Sequence, residues 1–224
     1  YDYDLPNELL LNDGLGNFSA ADGFPGGSFT AYAVAMGDVD GDGDLDLLVG
    51  NFNSANELLL NDGHGNFSAA DGLPSGRWSY TYAVVMGDVD GDGDLDLLVG
   101  NSGVSNELLL NDGLGNFSAS GGFPGGSALT RAVAMGDVDG DGDLDLLIGN
   151  ELGANELLLN DGHGSFSAAD SFPEESANTY AVAMGDVDGD GDLDLFIVKN
   201  AAANELLLND GLRVFSAASG FPGE

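Results

Sequence analysis

Apolar residues in this chain come in short runs, each closed by Gly, Asn or Asp. Ala31 to Gly37 (AYAVAMG) alternates small alanines with Tyr32, Val34 and Met36, the period-two spacing of a strand packed closely on one face. Leu45 to Gly50 reads as a second strand, Glu57 to Asn61 (ELLLN) as a third and Gly65 to Ala69 (GNFSA) as a fourth. The Asn61, Asp62, Gly63 turn between the last two is a hairpin signal, because these residues tolerate positive φ. Gly and Pro then gather at DGLPSG and mark the crossing to the next unit.

The unit recurs. The phrase NELLLNDG places its Glu at Glu8, Glu57, Glu107, Glu156 and Glu205, and the nonapeptide DVDGDGDLD starts at Asp38, Asp88, Asp137 and Asp186, intervals of 50, 49 and 49 residues. A period near 50 carrying four short strands predicts an all-β propeller built from four-stranded blades. The outer hairpin occurs five times but the inner strands only four times, giving four and a half repeats. The predicted division is a half blade over 1–30 and full blades over 31–79, 80–129, 130–178 and 179–224. Three arrangements are open: a piece of a longer array, a compact five-bladed ring with one thin blade, or a chain whose open edge pairs with a neighbour.

Each nonapeptide packs five aspartates into nine residues. Two unit charges 4 Å apart repel by roughly 4 kcal/mol at an effective dielectric of 20, so the loops call for a cation. In the first loop Asp38, Asp40 and Asp42 at alternate positions point to one side, Gly43 permits the turn, and the Asp44 carbonyl and Asp46 carboxylate close the cage. The same set recurs as Asp88, Asp90, Asp92, Asp94 and Asp96, as Asp137, Asp139, Asp141, Asp143 and Asp145, and as Asp186, Asp188, Asp190, Asp192 and Asp194. An all-oxygen cage suits Ca²⁺, about four ions in all, better than zinc or copper, and better than Mg²⁺ with its smaller octahedron and retained waters. An EF-hand would need Glu at the twelfth loop position, where this chain has Val49, Val99, Ile148 and Val198.

Composition narrows the partners. The 224 residues include 39 acidic and 4 basic side chains for a formal charge of −35, of which four Ca²⁺ would offset only eight. Arg77, Arg131, Lys199 and Arg213 are scattered singly, so nucleic acid and anionic membrane are not expected partners. No apolar run approaches the ~20 residues of a spanning helix, and no signal peptide is visible. There is no cysteine, hence no disulfide or thiolate site.

The loop DVDGDGDLD, preceded by AVAMG and followed by LLVGN, resembles the FG-GAP and VCBS-type calcium-binding repeats that build the propellers of integrin α-subunits and related surface proteins. The resemblance covers nearly the whole chain. It implies that the loop joins the first two strands of a blade, that the aspartates at its first, third, fifth and ninth positions give carboxylates, and that the one at the seventh position gives its carbonyl. It also implies ligand binding on the face opposite the calcium loops and an extracellular or cell-surface setting.

The links on that opposite face vary most between copies. The candidate surface for a protein or glycan ligand is Arg77, Trp78, Tyr80 and Tyr82, residue types that anchor interfaces; the competing reading is that these aromatics cover the central channel or plug a gap between blades. Glycosylation sequons fall at Asn17, Asn66 and Asn116 in the outer turns, where Asn also serves simply as a turn residue. Catalysis is not expected: His64 and His163 replace Leu15 and Leu114 in hairpin turns, and no nucleophile, base and acid are grouped. Three functions are expected: a calcium-stabilised scaffold or adhesion module, a carbohydrate-binding propeller, or a self-assembling unit of a surface array.

Overall fold

A computed structural model describes residues 6–27, 29–74, 79–121, 123–124, 126, 129–170, 172–173 and 176–219. Strands β1 (Leu10–Asn12) and β2 (Phe18–Ala20) form a separate hairpin, the half blade. The first full blade consists of β3 (Thr30–Gly37), β4 (Asp46–Ser54), β5 (Glu57–Asn61) and β6 (Phe67–Ala70), and the second of β7 (Ser79–Gly87), β8 (Asp96–Asn101), β9 (Glu107–Asn111) and β10 (Phe117–Ala119). In the third, β11 (Leu129–Gly136) and β12 (Asp145–Glu151) are followed by a short β13 (Gly153–Ala154), then β14 (Glu156–Asn160) and β15 (Phe166–Ala168). A short β16 (Ser176–Ala177) precedes the fourth blade of β17 (Thr179–Gly185), β18 (Asp194–Lys199), β19 (Glu205–Asn209) and β20 (Phe215–Ala217). Every pairing is antiparallel, and each blade is a four-stranded meander.

The second strand of each blade carries the core. In β4, β8 and β12 the DLL(V/I)GN segment is buried at every position, because both faces of the strand are covered. Alternate residues go to opposite neighbours. Leu48 packs with Leu97 and Val99 of the next blade, Leu98 with Leu146 and Ile148, and Leu147 with Leu195 and Ile197. At the other end, Leu47 and Val49 face Phe24 and Ala31. The core is therefore a row of apolar layers between blades rather than one central mass.

Glycine sets the spacing of these layers. A Cβ on Gly37 would strike Leu95 and Met86, one on Gly87 would strike Leu144 and Met135, and one on Gly136 would strike Leu193 and Met184. The second, third and fourth blades thus each insert a Met and a Leu into a notch left by the missing side chain of the blade before it. A second notch lies at Gly50, Gly100 and Gly149, against Thr81, Thr130 and Thr179.

Blades also join along the edge opposite the aspartate loops. Phe52 at the end of β4 pairs with Tyr80 of β7, Ser102 bridges to Leu129, and β13 pairs with β16. β4 therefore runs beyond the predicted Gly50 to Ser54, since its last residues belong to the seam between blades. Among the described residues no strand pairing joins the half blade to the fourth blade. The first blade leaves Val34 and Met36 largely exposed beside a cavity of about 450 Å³, and the fourth leaves Val187 exposed beside one of about 470 Å³.

Candidate metal centre

The nonapeptide loop is organised by its own amides. In the first copy Asp38 accepts from the N–H of Gly41 (2.8 Å) and of Gly43 (2.9 Å), while Asp40 and Asp42 accept from the N–H two residues onward. Gly43, at φ 94°, occupies a backbone region that an L side chain resists, as the sequence predicts. The other three copies repeat the Asp88, Asp137 and Asp186 contacts.

The aspartate at position nine has a second duty. Asp46 is fully buried; its Oδ2 accepts from the Val39 N–H inside the loop and its Oδ1 from the Asn61 N–H at the end of β5. Asp96, Asp145 and Asp194 do the same with Val89 and Asn111, Val138 and Asn160, and Val187 and Asn209. One carboxylate thus fixes both the aspartate loop and the outer hairpin beside it. The aspartate at position seven faces elsewhere: Asp44, Asp94, Asp143 and Asp192 lie against Gly63, Gly113, Gly162 and Gly211, where any Cβ would collide with the carboxylate. Their side chains attend to the hairpin turn, which leaves the carbonyl as the group they could offer a cation.

The carboxylates do converge. Oxygens of Asp38, Asp40 and Asp42 lie within 4.8 Å of one another, as do those of Asp88, Asp90 and Asp96, of Asp137, Asp139 and Asp145, and of Asp186, Asp188 and Asp194. Two oxygens bound to one Ca²⁺ at 2.3–2.6 Å can be at most about 5 Å apart, so each trio can share an ion. In the last three loops the aspartate at position nine takes the place in the trio that the aspartate at position five holds in the first.

Electrostatics point the same way. Burial, then the neighbouring aspartates, push Asp40 and Asp90 above the usual carboxylate range despite a hydrogen bond to each. Burial pushes Asp96 and Asp145 up to about 6, even though each accepts two backbone N–H bonds that favour the ionised form. Such crowding is relieved by protons or by a metal.

The sequence did not reveal the role of the asparagine that closes each hairpin. Asn111 Nδ2 donates to the Val39 carbonyl in the preceding blade's loop, Asn160 to Val89 and Asn209 to Val138, at 2.7–2.9 Å. The only sequence signal was that NELLLNDG repeats this Asn without exception. Each of these three aspartate loops is therefore gripped by the hairpin of the blade that follows.

The other candidates separate. Arg77 and Trp78 lie outside the described residues. Tyr82 stacks on Tyr32 (centroids 4.8 Å, interplanar 15°), packs edge-on to Phe52, and carries the Arg131 guanidinium 4.1 Å above its ring. Arg131 also pairs with Glu151. Tyr80 packs on Phe52 and remains partly exposed. Tyr80 and Tyr82 thus belong to an aromatic seam across the first three blades, in which the sequence reading lacked Tyr32, Phe52 and Arg131. At the sequons, Asn17, Asn66 and Asn116 are exposed, but each donates its Nδ2, the atom a glycan would take, to Asp13, Asp62 or Asp112.

Four meandering blades, stacked through their second strands and each bearing an aspartate loop between its first two strands, define a β-propeller-type repeat protein. A family profile described as FG-GAP-like repeat matches residues 2–49, 38–99, 88–148 and 137–197. The chain belongs to the FG-GAP-like repeat family. Comparison with curated proteins finds no match. Among solved structures the chain is similar to BBS1N in complex with ARL6DN, in a lead-soaked crystal, at 12% identity and a TM-score of 0.57 over 85% of this chain and 55% of that one. It is also similar to the V. cholerae biofilm matrix protein Bap1, at 16% identity and a TM-score of 0.50 over 99% of this chain and 37% of that one. The chain spans about half the length of the first of these and less of the second. At such identities the likeness concerns the fold. No helix is present among the described residues, and so none long and apolar enough to cross a membrane.

Proposed function

We propose that this chain is a calcium-stabilised, non-catalytic propeller scaffold of an extracellular or cell-surface protein, presenting its variable edge to a protein or glycan partner. The observation that carries the reading is the four-fold recurrence of convergent carboxylates, in loops of which three are gripped by the next blade. A cation there would neutralise like charges and stiffen the seam between blades. Millimolar extracellular calcium would fill sites of modest affinity, and membership in the FG-GAP-like repeat family, together with the fold-level likeness to a biofilm matrix protein, supports a surface setting.

Each site filled to a hundred times its dissociation constant would add about 2.7 kcal/mol, and four sites about 11 kcal/mol. Calorimetric melting in CaCl₂ and in excess EDTA tests this. Chelation is expected to lower the melting temperature by roughly 20 °C or more; superimposed melting curves would rule calcium out as a structural ion. A second reading, carbohydrate binding, draws on the partly exposed Tyr32, Phe52, Tyr80 and Tyr82 beside the Arg131–Glu151 pair. A glycan array in calcium that shows no retained sugar removes it.

A further inference from the structure

The turn of the hairpin that grips each of the first three loops carries a residue lying directly over the aspartate at position three of the loop. Over the first loop that residue is Gly115, whose Cβ position is 3.6 Å from the Asp40 Cβ, and over the second it is Gly164, 3.5 Å from the Asp90 Cβ. Over the third loop the equivalent residue is Arg213. The substitution is not neutral to the backbone. Arg213 keeps the left-handed conformation of the glycines it replaces, at φ 66°, a region an L side chain resists.

The guanidinium meets Asp139, whose side chain has no exposed surface, while the Arg213 side chain remains half exposed. Asp139 Oδ2 is buried and accepts no hydrogen bond of regular geometry, so the ion pair is what the structure offers that oxygen. Asp139 also belongs to the convergent trio with Asp137 and Asp145. A permanent positive charge therefore stands on one of the three carboxylates that would hold the third cation. In the first two loops glycine leaves the corresponding position without a charge.

We infer that Arg213 is a resident countercharge of the third loop, competing with the metal for Asp139 so that this site fills at higher calcium than the first two and keeps its shape when calcium is absent. The inference rests on the calcium reading above. It makes the array a graded responder, with one site reserved for the upper end of the calcium range. A divalent ion and a guanidinium sharing one carboxylate repel each other, and the half-exposed position of Arg213 screens that repulsion without abolishing it.

The experiment is calorimetric titration of chelator-stripped full chain with CaCl₂. In the native protein one equivalent should bind at least about tenfold more weakly than the first two loops. In Arg213→Gln, which keeps bulk but removes charge, and in Arg213→Gly, that equivalent should move to the tight class with total stoichiometry unchanged. Arg213→Lys should leave it weak. Adding Asp139→Asn to the native chain and to Arg213→Gln should abolish the difference between the two, since the coupling runs through that carboxylate. In EDTA the sign reverses: Arg213→Gln should melt a few degrees below the native protein. Isotherms of Arg213→Gln and Arg213→Gly that match the native one, or that show one site weakened, would overturn the inference alone. A native protein that binds no calcium would overturn the calcium reading itself.

Discussion

The two edges of the blade array are built on opposite rules. Along the aspartate edge all four repeats present the same carboxylates to the same backbone amides, from Asp38 with Gly41 and Gly43 to Asp186 with Gly189 and Gly191. Along the other edge each connection passes through a left-handed residue, yet that residue is Asn53, Gly103, Leu152 or Ala201. Residues beside it bridge to the next blade through Phe52 and Tyr80, through Ser102 and Leu129, or through Gly153 and Ala177. An aspartate loop that loses one oxygen leaves amides without acceptors, whereas the opposite edge needs only a turn and one backbone bridge. Constraint and freedom are thus separated by the height of one blade.

The sharpest way to break this comparison is within the aspartate edge itself. Asp96 is buried and holds two backbone N–H groups, while Asp92 is exposed and holds one. Asp96→Ala should cost about 2–5 kcal/mol in EDTA as well as in calcium, because two buried donors lose their acceptor. Asp92→Ala should be nearly silent in EDTA and weaken only its own calcium site. Urea unfolding in both buffers reads the difference; equal losses in EDTA would mean the two aspartates do not differ in duty.

An intermediate effect is expected with pH. Asp96 and Asp145 sit at about 6 in the folded state, above the value of about 3.9 for an unfolded chain. Between those values the metal-free folded protein retains protons that the unfolded chain has released, so its stability should rise as pH falls from 7 toward 5. Asp13, Asp62 and Asp112, held low chiefly by Asn17, Asn66 and Asn116, act in the other direction but only below the ordinary carboxylate range. With calcium present the slope should reverse, because protons then compete with the ion. Melting curves across pH 5 to 7, with and without chelator, check the crossing.

The smallest effect belongs to the variable edge. Arg131→Ala removes a partly exposed pair with Glu151 and a cation over the Tyr82 ring. A loss of about 1 kcal/mol is expected, identical in calcium and EDTA. A calcium-dependent loss would mean that the two edges communicate.

The sequence made the blade legible because each strand's pattern is local. AYAVAMG, ELLLN and the Asn-Asp-Gly turn form where they were read, and the fourth strand, predicted at Gly65, begins at Phe67 after Gly65 has served the turn. The aspartate trios were legible for the same reason, since their spacing lies within nine residues. What lay between repeats was not. The extension of β4 to Ser54, the grip of Asn111 on Val39 across 72 positions, and Arg213 on Asp139 all depend on which blade stands beside which. Tyr80 and Tyr82 illustrate the limit: the sequence leaves open whether they form a contact surface or fill a gap between blades, and their contacts with Tyr32 and Phe52 depend on which blade stands alongside.

The asparagine grip has a direction, like overlapping roof tiles. Val39, Val89 and Val138 lie beneath the following hairpin and are almost wholly buried, whereas Val187 is 59% exposed. Peeling the fourth blade away would uncover Val138 and free the loop of the third, then the second, each step removing the cover on which the next depends. Lifting the half blade releases no such loop. Under heat or a pulling force each gripped loop should therefore be released, with any ion it holds, just after the hairpin of the blade that follows it.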